Sequence, residues 1–147
     1  MTFDGKRLFQ EVESHAMKLG IFPGGVNLHE AEAPPDKPAC SFWLGPGAPD
    51  PSSSGLASTS ARLTILARLF SSRMQRPLDG IDPAILNATF TLIGEYNATF
   101  TLGGLIRNVD VMGIRWAPGY LDWAGAPLRV VEVTLPLVVT DVWAQGA

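Results

Sequence analysis

The chain has 147 residues, 46% of them hydrophobic and 17% charged, with a formal net charge of −3. That length and apolar content suit one domain over residues 1–147, burying roughly two-thirds of its unfolded surface. Mild acidity without any basic run argues against strong nucleic-acid binding, and the single cysteine, Cys40, supplies neither an internal disulfide nor a metal site by itself.

The opening segment, MTFDGKRLFQ, lacks the apolar stretch of a signal peptide and leads into a predicted helix over residues 4–19. Leu8, Phe9, Val12, Ala16 and Leu19 recur at three- and four-residue steps and make one apolar stripe. Thr2 or Asp4 can cap its start, Lys18 suits the negative end of the helix dipole, and Gly20 is placed to stop it. Pro23-Gly24-Gly25 turns the chain into a short predicted strand over residues 26–31. After Pro34, Pro35 and Pro38, residues 39–44 predict a second strand. The next segment, GPGAPDPSSS at residues 45–54, holds three prolines and two glycines. Such a composition disfavours regular pairing and predicts a mobile surface loop, or an assembly loop that orders against a neighbour.

Residues 61–70 give the clearest strand. Ala61, Leu63, Ile65, Ala67 and Leu69 fall on one face; Arg62, Thr64, Leu66, Arg68 and Phe70 fall on the other. The mixed second face suits a sheet covered by helices on one side and partly by a partner on the other, or one that is simply half-wet. Asp82-Pro83 then predicts a helix start, with Ile85, Leu86, Thr89, Leu92, Ile93 and Tyr96 as its stripe. The hexamer NATFTL occurs at residues 87–92 and again at 97–102, so context must decide its structure. The first copy follows a helix start and is expected to be helical; the second runs into Gly103-Gly104 and is expected to be a loop entering a strand. Both copies spell an N-glycosylation pattern, which carries meaning only in a secreted eukaryotic protein.

Residues 105–113 predict a further strand, followed by a connection through Trp116, Tyr120 and Trp123. The last predicted strand covers residues 128–139, with Val131, Val133, Leu135, Leu137 and Val139 on one face. Pro136 cannot donate to a ladder, which predicts a sheet edge or a bulge at that point. This most apolar segment includes Glu132 and is far too short to span a bilayer, so a soluble protein is expected. The order of helix, three strands, helix and two strands predicts an α+β fold, a mostly antiparallel sheet with helices packed on one side.

No catalytic constellation emerges from the same residues. His15 and His29 are 14 positions apart and have no metal-site spacing; His29 beside Glu30 and Glu32 reads as a solvated strand end. Cys40 reads as a small buried apolar side chain. Ser52, Ser53 and Ser54 have no nucleophile elbow, and Gly103-Gly104 lacks the lysine of a phosphate loop. Asp79, Asp82, Asp110 and Asp141 are too scattered to argue a catalytic carboxylate pair. The expectation is a protein that is not an enzyme and carries no cofactor and no metal.

Four segments, in order, resemble the tail terminator proteins of siphophages that infect actinobacteria. They are SSSGLASTSARLTILARLFSS (residues 52–72), GIDPAIL (80–86), FTLGGLIRNVDVMG (100–113) and RVVEVTLPLVVTDVW (129–143). The resemblance covers roughly two-thirds of the chain and lies in the combination and order of segments; the repeated NATFTL and the long Gly/Pro segment depart from it. It implies an α+β subunit, typically six to a ring, that caps the tail tube, stops its growth and provides the surface that joins the head. Implied partners are further copies of itself, the major tail tube protein and the head–tail connector protein, with DNA passing through the lumen without specific binding. The implied location is the tail–neck junction of the virion, and the host cytoplasm during assembly. Within this reading the candidate assembly-interface residues are Pro46, Asp50, Ser53, Arg62, Arg68, Pro136 and Trp143. The alternatives are a head-side adaptor or tail completion protein and, from other classes, a small hydrolase or a free-standing ligand-binding module.

Overall fold

The computed structural model describes residues 3–50, 58–73, 77–98 and 101–144. In chain order they form α1 (Gly5–Lys18), β1 (Val26–Asn27), β2 (Ala39–Leu44), β3 (Ala48–Asp50), β4 (Ser58–Ser72), α2 (Ile81–Ala98), β5 (Asn108–Val109), β6 (Arg115–Trp123) and β7 (Ala126–Ala144). All strands belong to one sheet, with the order β1-β2-β4-β7-β5; β3 also pairs with β4, and β6 with β7. The β1–β2 pair is parallel and every other described pair is antiparallel. This is the expected α+β fold with a mostly antiparallel open sheet.

Side-chain alternation divides the sheet into two unlike faces. Ile65, Ala67 and Leu69 of β4 lie opposite Leu135, Val133 and Val131 of β7, and all six are buried. Leu8, Val12 and Ala16 of α1, and Ile85, Leu92 and Tyr96 of α2, join them in the main core. Both helices therefore cover this face. Asp4 caps α1, its carboxylate accepting the Arg7 amide at 3.0 Å, and Gly20 at φ +67° ends the helix as the sequence suggests. Tyr96 ties the two helices together: buried, it donates its hydroxyl to the Val12 carbonyl at 2.7 Å and meets Phe42 edge-on.

Several expectations need correction. The β7 strand is central rather than an edge, flanked by β4 on one side and by β6 and β5 on the other. Pro136 is tolerated there because its backbone faces the gap between β6 and β5. Its carbonyl accepts from the Asp110 amide at 2.9 Å, and the nitrogen of a strand residue points the same way, so no ladder bond is lost. The Gly/Pro segment also pairs: Ala48, Pro49 and Asp50 lie opposite Arg62, Ala61 and Ser60. Residues 51–54 of that segment fall outside the described residues.

The strand expected at residues 26–31 is two residues long, and that at 105–113 shrinks to Asn108–Val109. A 3-10 turn, Val111–Gly113, follows β5 because the Asp110 side chain accepts the Gly113 amide and curls the chain. Asp82 lies inside the first turn of α2 instead of capping it, since a 3-10 turn at Leu78–Gly80 already winds into the helix; its carboxylate binds Arg129 at 2.8 Å. The first NATFTL copy is helical, as expected. The second contributes Asn97 and Ala98 to the end of α2, and left-handed Leu102, Gly103 and Gly104 follow in a turn. The observed order is thus one helix, four strands, one helix and three strands.

At the far end, β6 and β7 join through Ala124-Gly125, both at positive φ (51° and 82°), the geometry of a two-residue hairpin turn. Trp123 and Ala126 close that turn as a hydrogen-bonded pair. Pairs alternate from there, which leaves the Pro118 nitrogen facing the free edge of the sheet.

Tyr96→Phe removes the bond between the helices without opening a cavity. It should lower unfolding stability by about 1–2 kcal/mol, read as a lower urea midpoint with an unchanged slope; an unaltered midpoint would show that the hydroxyl bond is not holding α1.

Candidate assembly surfaces

Residues 83–94, nearly all of α2 after its first turn, contain no charged side chain. Ile85, Thr89 and Leu92 account for the buried side, yet two large apolar side chains also stand on the outward side, Leu86 45% and Phe90 53% exposed. Asn87 and Thr91 are exposed beside them, so this side is uncharged without being wholly apolar. Beside it on β6, Trp116 is 49% exposed and meets Phe90 edge-to-face at 5.5 Å. The result is an aromatic ridge, flanked by a 440 Å³ groove between α2 and β6. The ridge was legible only as a missing signal, the run of twelve residues without charge.

A second apolar surface lies at the other end of β7. Leu8 and Phe9 of α1, Leu44, Leu63, Val139 and Trp143 line an open hollow of about 520 Å³. Trp143 is 51% exposed at its rim. Arg62 is the one charged residue among those that line it.

The opposite face of the sheet is mixed, as its alternation suggested. Phe70, Ala39 and Leu128 form a small second core. Arg68 bridges Glu132 at 2.8 Å and lies over the Trp43 ring, 5.0 Å from its centroid. Arg62 pairs with Asp110 at 2.6 Å, and Gly113 packs so closely on this pair that an added Cβ would lie 2.7 Å from Arg62 Nη2 and 2.9 Å from Pro136 Cγ. On the helix-covered side of the hairpin, both Arg73 and Arg129 lie over the Tyr120 ring.

The seven residues expected at an assembly interface therefore occupy different settings. Pro46 and Trp143 are exposed. Arg62 and Arg68 are held in ion pairs within the subunit, and Asp50 and Pro136 are buried. Ser53 lies outside the described residues.

Cys40 and the two histidines have settings that are not catalytic in kind, while Ser52, Ser53 and Ser54 lie outside the described residues. Cys40 is fully buried, and burial pushes its thiol far above the usual range, away from nucleophilic use. His29 lies at the surface with Nδ1 2.8 Å from the Glu30 carbonyl. His15 sits between the helices, 2.9 Å from Glu95 and 3.6 Å from Glu11. Among the described residues no three His, Cys, Asp or Glu side chains gather as a metal site, and no helix is long and apolar enough to cross a membrane. No protein-family model matches the chain, and neither does any curated protein.

One ionic cluster makes the helix pair sensitive to acid. Lys18 Nζ at 2.6 Å and His15 Nδ1 at 2.9 Å bond the Glu95 carboxylate and hold it below the usual carboxylate range. A lowered folded pKa means that this stabilisation is full above the ordinary value of 4.5 and is lost as pH falls through the folded value. Glu95→Gln should therefore be less stable than the parent at pH 6, and the difference should shrink in urea titrations as the pH falls below 4.5. A difference independent of pH would refute the ionic account.

Proposed function

We propose that this chain is the subunit of a phage tail-terminator ring, a structural protein that caps the tail tube, stops its elongation and offers the joining surface for the head. The observation that carries this reading is the uncharged outer face of α2 with Phe90 and Trp116 standing out of it. Interfaces are depleted in charge and enriched in aromatic side chains, which is what an assembly subunit would present here. The segments that resemble tail terminators support it further. Two of them fall in β4 and β7, the central pair of the sheet, and GIDPAIL runs into α2.

The task requires contacts and no bond-making. A tube of identical rings presents the same surface after each addition, so nothing in the polymer itself ends growth. A different ring that binds the last one and shows another surface outward is sufficient. The partners in this reading are further copies of the chain, six to a ring, with the tail tube protein below and the head–tail connector above. DNA passes through the lumen without being held, with which the net charge of −3 is compatible.

Electron microscopy of a host infected with phage lacking this gene tests the proposal. Tubes should overgrow their normal length while filled heads accumulate unattached. Free tails of uniform, wild-type length would overturn it in favour of a head-side adaptor, whose loss leaves tube length untouched.

A further inference from the structure

We draw no further inference here: the strongest candidate, the exposed aromatic patch of Leu86, Phe90 and Trp116 beside the groove between α2 and β6, carries nothing because nothing in the structure shows what covers it.

Discussion

Everything in this molecule is organised around the pairing of β4 with β7. The two strands run antiparallel from Thr59 opposite Trp143 to Ser72 opposite Leu128, with one shift in register between Thr59 and Ala61. Because side chains alternate, this single register decides which residues meet the helices and which meet the second face. A slip by one position would turn Ile65, Ala67 and Leu69 away from α1 and α2 and bring Arg68 against them. The burial of an unpaired guanidinium would then oppose the change by several kcal/mol, so the register is secured from both faces at once. The other strands attach to the two sides of the pair: β2 and β3 to β4, with β1 beyond β2, and β5 and β6 to β7.

The helices depend on that platform and on each other. α1 has a strong apolar stripe and its own caps, whereas α2 has hardly any difference between its sides. What orients α2 is Tyr96, whose ring fills the space over Phe42 while its hydroxyl reaches the α1 backbone. Glu95, one residue earlier, reaches His15 and Lys18 on the same helix. Two adjacent residues thus perform by polar contacts the alignment that an apolar stripe performs elsewhere.

How much of this could be read in the sequence follows from where the information was local. Residues 61–70 keep one face wholly apolar, residues 39–44 are a short apolar run bounded by Pro38 and Gly45, and α1 carries both of its end signals; these elements were legible because each is decided by its own neighbours. The environment of Pro136 was not, since the same residue marks an edge or a gap between two partner strands, and only the position of β5 and β6 distinguishes them. The shortening of the strand at Asn108–Val109 depends on Asp110 finding Arg62 from a strand far away in the chain. As for the surfaces, Trp143 could be suspected from its place at the end of an apolar strand. Phe90 could not, because it lies within the repeated NATFTL, where an outward aromatic looks the same as an inward one until the helix is set on the sheet.

The direction of one proline nitrogen has a bearing on how the protein behaves at high concentration. The free edge of β6 is nine residues long and would otherwise invite a strand from any neighbouring chain. With Pro118 facing outward in the middle of it, a strand laid there meets a missing donor and a ring where its own carbonyl must sit. Amyloid-like stacking is therefore discouraged at the longest free strand edge among the described residues.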